Sequence, residues 1–170
     1  LNDIGYLTSI SSPSSPSSPS SSITLYNSIT NLCNLKSLNL KQNFLHELPT
    51  SLIHLSSHLT QFHFGIIKNH DSYSVLQTLT NLTFLDIDYS DFNYYPIDKD
   101  IEIIFEKHVL NLTNIQTLYL NGASLQKVLN IPNSISNFVN LTHMNLHIEN
   151  LTSIPDTLSC LTQLKHFELH

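Results

Sequence analysis

Apolar residues recur along this chain in one figure, LxxLxL, and the figure appears seven times. Leu1, Ile4 and Tyr6 form the first line, then Leu35, Leu38 and Leu40, then Leu59, Phe62 and Phe64. Leu82, Leu85 and Ile87 follow, then Ile115, Leu118 and Leu120, then Leu141, Met144 and Leu146, and finally Leu164, Phe167 and Leu169. First members are separated by 34, 24, 23, 33, 26 and 23 residues, so two of the steps read as a 23-residue unit with about ten residues inserted. Proline keeps the same phase, with Pro49, Pro96 and Pro155 each 14 residues after the first leucine of a line, and Pro132 displaced by three. Apolar residues then return three and six places on, as Leu52 and Leu55, Ile135 and Phe138, and Leu158 and Leu161. In the third unit Tyr73 stands at the proline position, yet Leu76 and Leu79 keep the pattern.

Each line predicts a short strand, because strand side chains alternate between two faces. The fourth and sixth residues then point into a core, and the third, fifth and seventh point away from it. A single unit cannot bury its apolar residues alone, so neighbours must stack into a shared core. At about 1.5–3 kcal/mol per buried side chain, each line contributes several kcal/mol gross, most of it offset by chain ordering.

The pattern resembles the leucine-rich repeat in its 23-residue form, LxxLxLxxNxLxxLPxxLxxL, as in intracellular Ras-group scaffolds. The best match is LKSLNLKQNFLHELPTSLIHL at 35–55. The resemblance implies an α/β solenoid of about seven repeats filling 1–170, with a curved parallel sheet on the concave side and irregular or short helical segments on the convex side. Only Asn43 fills the family's asparagine position; Ile67, Ser90, Ala123 and Glu149 hold its equivalents, so the turns there are expected to be less regular. The chain opens at Leu1 rather than Met, and no polar capping unit flanks its lines, so an uncapped fragment of a longer array is expected.

Two stretches interrupt the repeat. The serine-proline run at 11–22 has no apolar residue to bury and is expected to loop out as an insertion. Its prolines recur every third residue, as on one edge of a polyproline II helix, but no Arg or Lys flanks them to orient an SH3 domain. Ser12, Ser15 and Ser18 each precede proline and are candidates for proline-directed phosphorylation. The second insertion, at about 97–110, places Ile101, Ile104, Phe105 and His108 at helical spacing, with Asp98 or Asp100 available as N-cap. It predicts an amphipathic helix on the convex side.

Composition narrows the partners. Charged residues are only 12% of the 170 and the net charge is −6, with Lys and Arg few and scattered. Phosphate neutralisation needs clustered cations, which argues against nucleic acid. No apolar run reaches the roughly 20 residues of a membrane helix, so no membrane insertion is expected within this chain. Cys33 and Cys160 form neither a disulfide framework nor a metal-binding pair, which favours a reducing, cytoplasmic setting.

The odd positions of the lines should form the concave floor. They are Ser37, Asn39 and Lys41; Gln61, His63 and Gly65; Phe84, Asp86 and Asp88; Thr117, Tyr119 and Asn121; His143, Asn145 and His147; and His166, Glu168 and His170. Parallel strands lie about 4.8 Å apart, so His143 should stand beside His166 and His147 beside His170. Adjacent histidines with a carboxylate suit zinc, but an outward position tolerates any polar residue in a chain with ten histidines. No metal or other cofactor is expected. A cluster that changes charge between about pH 5 and 7 is the better reading.

Four N-x-[ST] sequons, at Asn81, Asn111, Asn140 and Asn150, arise largely from the repeat phrase itself and become glycosylation candidates only in a secreted parent. There is no GxSxG, GxxxxGK[ST] or HExxH, and only three glycines, so no enzyme is expected in this chain. What remains is a protein-binding module acting through its concave floor, in a signalling scaffold. The alternatives are a targeting region for a kinase or GTPase domain outside this chain, and an extracellular receptor domain.

Overall fold

The computed structural model describes residues 29, 32, 34–43, 45–65, 67, 69–88, 104–109, 111–122, 131–148, 151 and 153–170. Within them, six of the seven lines form strands: β1 Ser37–Leu40, β2 Gln61–Gly65, β3 Phe84–Asp88, β4 Thr117–Asn121, β5 His143–His147 and β6 His166–Leu169. They make one parallel sheet in chain order. The first line (Leu1, Ile4, Tyr6), the run 11–22 with Ser12, Ser15 and Ser18, and most of the second insertion lie outside the described residues.

Strand register follows the leucine phase without slippage. Leu38 pairs with Phe62, Phe62 with Leu85, Leu85 with Leu118, Leu118 with Met144, and Met144 with Phe167. A slip of one residue would turn every core side chain to solvent, so burial locks this register. Leu38, Phe62, Leu85 and Leu118 are fully buried. The ladder also extends ahead of the strands: the backbone N–H groups of Thr60, Thr83, Gln116, Thr142 and Lys165 each donate to the carbonyl of the same position one unit earlier. The hydroxyls of Thr60, Thr83 and Thr142 donate to those same carbonyls.

Opposite the sheet run 3₁₀ segments at Thr50–Leu55, His70–Thr78, Asn133–Asn137 and Asp156–Cys160. They are 3₁₀ rather than α for a reason visible in the spacing. Apolar residues three apart eclipse one another at three residues per turn, so one edge buries them all. Leu52 with Leu55, Leu76 with Leu79, and Ile135 with Phe138 are buried in this way. Pro49, Pro132 and Pro155 directly precede three of the segments, with φ of −62°, −69° and −69°. Each supplies a fixed φ and its carbonyl accepts the first turn's N–H, from Leu52, Ile135 and Leu158.

The described end of the second insertion, Ile104–Val109, is a single π-type helical turn on this same side, not a stretch of α-helix. It packs along His70–Thr78, where the Gln77 amide donates to the Lys107 carbonyl at 2.8 Å. An i→i+5 turn is the form a helix takes when a residue must be accommodated without losing its packing face, and here Val109 is buried while Glu106 and Lys107 are exposed. β6 is the outermost strand, with a neighbour on one side only, and Phe167 and Leu169 are correspondingly 39% and 47% exposed.

The turn after β2 departs from the repeat in the way Ile67 predicts. Where an asparagine side chain would serve the backbone, the buried Tyr73 hydroxyl accepts the Ile67 N–H at 2.9 Å and reaches the Ile67 carbonyl at 3.4 Å. A second set of asparagines does bond across units: Asn81 to the Ser56 and Ser57 carbonyls, Asn114 to Thr80, and Asn140 to Thr113. All three immediately precede the first residue of a line, and two of them, Asn81 and Asn140, also begin sequons.

Candidate functional site

Alternation places every predicted odd-position side chain on the face away from the core, in three rows across the sheet. Asn39, His63, Asp86, Tyr119, Asn145 and Glu168 are consecutive partners in the middle row. Gln61, Phe84, Thr117, His143 and His166 run along the row before it, and Asp88, Asn121 and His147 along the row after it.

Three groups form within this floor. The first is charged. Lys41, at the end of β1, reaches across β2 to place its Nζ 2.6 Å from Asp86 Oδ2 and 3.6 Å from Asp88 Oδ2 on β3. Gly65 pairs with Asp88 in the last row. Asp86 also accepts a hydrogen bond from His63 Nδ1 at 2.9 Å. An ionised carboxylate only accepts, so Nδ1 is the donor in this bond. Asp86 and Asp88 are consequently 6% and 9% exposed, and β3 loses the alternating burial of its neighbours. The odd positions therefore are not uniformly solvated, as the alternation alone predicts; these two carboxylates are roofed by the lysine.

The second group is aromatic. His63 stacks on Phe84 with centroids 4.8 Å apart, and Phe84 meets Tyr119 edge to face at 5.2 Å. Tyr119 is 40% exposed and stands at the centre of the sheet.

The third group is the histidine cluster, placed as the strand spacing predicts. His143 and His166 stack with centroids 4.4 Å apart, His147 and His170 at 5.8 Å. Glu168 accepts from the Asn145 amide and lies 3.8 Å from His170 Nε2. Among the described residues, no three His, Cys, Asp or Glu side chains converge to hold a metal ion.

A shallow open cavity of about 290 Å³ lies over these groups, walled by Lys41, Asp86, Tyr119, Asn121, Asn145 and His147 among others. It gathers residues from β3, β4 and β5 and the residues just past β1 and β6, which is room for side chains of a partner rather than for a wholly enclosed small molecule. Ser37, Gln61 and Thr117 stand in the row before the middle one and do not line it. Among the described residues, no helix is long and apolar enough to cross a membrane.

The fold matches solved structures. A leucine-rich-repeat protein from Leptospira interrogans superposes with a TM-score of 0.63 at 23% identity, covering 85% of this chain and 33% of that one. Internalin C2 from Listeria monocytogenes superposes at 0.50, also with 23% identity, covering 84% of this chain and 54% of that one. This chain thus spans between a third and about half of those proteins. No protein-family model matches the sequence. No curated protein matches it either.

Proposed function

We propose that this chain, a leucine-rich-repeat solenoid by fold, is a protein-interaction module that receives a partner on its concave floor. The observation that carries the reading is Tyr119: a large aromatic ring held half exposed at the centre of an otherwise hydrogen-bonded floor, beside an open cavity. Exposed aromatic rings fixed by their neighbours are the usual anchors of binding surfaces, since they bury much area at little entropic cost. A role within a signalling scaffold, in the cytoplasm, is the setting that the sequence resemblance and the cysteine usage favour. Catalysis has no support among the described groups: His63 is oriented by Asp86 as a base would be, but no hydroxyl or thiol is hydrogen-bonded to it.

The test compares two exposed side chains on opposite faces, Tyr119 at 40% and Ile53 at 49%. Tyr119→Ala on the floor should lose captured partners by quantitative affinity purification, while Ile53→Ala, 49% exposed on the convex side, should keep them. Retention by the first with loss by the second places the binding surface on the convex side. Asp88→Ala is a poorer probe than the odd-position pattern suggests, because Asp88 belongs to the Lys41 roof and its removal disturbs the floor itself.

A further inference from the structure

We propose that the cavity on this floor seats one ring of a neutral saccharide, packed on Tyr119 and hydrogen-bonded by Asn121 and His147. The saccharide is either free or carried by a protein. The inference deepens the binding role proposed above and rests on it.

Polar groups on the floor divide into those engaged with one another and those that are not. Lys41 holds Asp86 and Asp88, His63 donates to Asp86, and the Asn39 side-chain oxygen accepts the Lys41 backbone N–H at 2.9 Å. Toward β6, the Asn145 amide donates to Glu168. Between these two groups stand the Tyr119 hydroxyl, the Asn121 amide and the His147 imidazole. All three wall the cavity, and none has a side-chain hydrogen-bond partner among the described residues. Asn121 and His147 are register partners, and Tyr119 lies two residues before Asn121, on the same face of β4. The free groups are therefore contiguous, and the exposed ring is among them.

This arrangement disfavours two classes of occupant. Apart from its imidazoles, the wall carries one ammonium and one carboxylate, Lys41 and Asp86, and these face each other at 2.6 Å. An ionic ligand finds no unpaired counter-charge there. Tyr119 supplies the one exposed aromatic surface of the wall, since Leu120 turns into the core. A wholly apolar ligand would dry the Asn121 amide and the His147 imidazole without replacing their bonds to water, which costs free energy.

The complement is an uncharged molecule with a C–H face and an edge of groups that both donate and accept. A pyranose ring has both. Its C–H face packs on the electron-rich face of an aromatic ring. Each of its hydroxyls donates and accepts, which matches the two ends of an amide and the hydroxyl of a tyrosine. Among side chains that a protein could present, those bearing hydroxyls or amides also match, but each brings one such group where a sugar ring brings several. At about 290 Å³ the cavity sits at the low end of the roughly 300–1,000 Å³ of ligand sites. One ring is seated, and the rest of a glycan stays outside.

The experiment presents the whole chain to an array of neutral, sialylated and sulphated glycans, and titrates the best neutral glycan by NMR. Binding to neutral glycans is expected, with a dissociation constant of about 1 mM, as suits a shallow site. Tyr119→Ala should weaken it about tenfold, while Tyr119→Phe keeps the ring and most of the affinity. Asn121→Ala should weaken it as well, and Gln61→Ala, on the floor but outside the cavity, should not. Because Asn121 is a floor position outside the core, its variant carries the test if Tyr119→Ala loses the far-UV circular dichroism of the fold. The same glycan attached to a hexapeptide, and the bare hexapeptide, distinguish the sources. Tighter binding of the glycopeptide than of the free glycan supports a glycosylated protein, and equal binding supports a free saccharide. Equal binding of the bare hexapeptide overturns the inference. So does binding of no neutral glycan, preference for the anionic ones, or glycan binding unchanged in both Tyr119→Ala and Asn121→Ala. If Tyr119→Ala loses captured proteins in a chain that binds no glycan, the floor remains the binding surface and only the saccharide falls.

Discussion

The Tyr73 hydroxyl serves both backbone groups of Ile67, accepting the N–H at 2.9 Å and lying 3.4 Å from the carbonyl. Two departures from the repeat pattern thereby compensate each other. This unit has Ile67 in place of the turn asparagine and a tyrosine in place of the proline, and the tyrosine reaches that turn from inside the core. Tyr73 is fully buried, so Ile67 has no water to fall back on.

Tyr73→Phe keeps the ring and deletes only the hydroxyl. Leaving a buried N–H without its partner costs about 1–3 kcal/mol. In a domain of this size each kcal/mol lowers the melting temperature by about 2–4 °C. Thermal unfolding of the variant should show that drop, and an unchanged midpoint would mean the turn finds another partner.

Lys41→Met should destabilise the chain by about 2 kcal/mol, less than the 3–5 kcal/mol of a fully buried pair. The discount reflects a lysine side chain 22% exposed and the remaining bond from His63 to Asp86. Adding Asp86→Asn to Lys41→Met should recover part of the loss in urea unfolding. Additive losses would show that the two side chains are not coupled.

His108 is expected to make the convex side sensitive to acid. Burial lowers its pKa from the ordinary histidine value, helped by Lys107 and by His70 and opposed by Asp71. The unfolded chain therefore takes up the proton first. Stability is unaffected well above the unfolded value of about 6.5, begins to fall as pH drops through it, and has fallen fully below the folded value. His108→Gln should flatten the pH dependence of the urea midpoint in that interval, and an equally steep profile in the variant would assign the effect elsewhere.

Ser51 and Ser134 occupy the same place in their units, two residues after Pro49 and Pro132, and the hydroxyl oxygen of each is buried without a hydrogen-bond partner among the described residues. Ser51→Ala and Ser134→Ala should each leave stability unchanged or raise it by up to about 1 kcal/mol, because an unpaired buried hydroxyl costs free energy that a methyl group does not. Destabilisation by either change would reveal a partner for the hydroxyl.

The rungs were legible in the sequence because burial acts on each residue locally. Leu38, Leu85 and Leu118 declare their face by spacing alone, and the spacing also fixes which polar residues come side by side, as with His143 and His166. The 3₁₀ segments were legible only as apolar residues three apart, since the same spacing suits a turn or a short helix. What tertiary structure decided is how far a side chain reaches once the rungs are stacked. Lys41 meets Asp86 across β2, and Tyr73 reaches back to Ile67, through contacts that depend on side-chain length and rotamer. Periodicity records direction, core or solvent, but not reach, and so it could mark Asp86 and Asp88 as facing outward without showing that a lysine two strands away covers them.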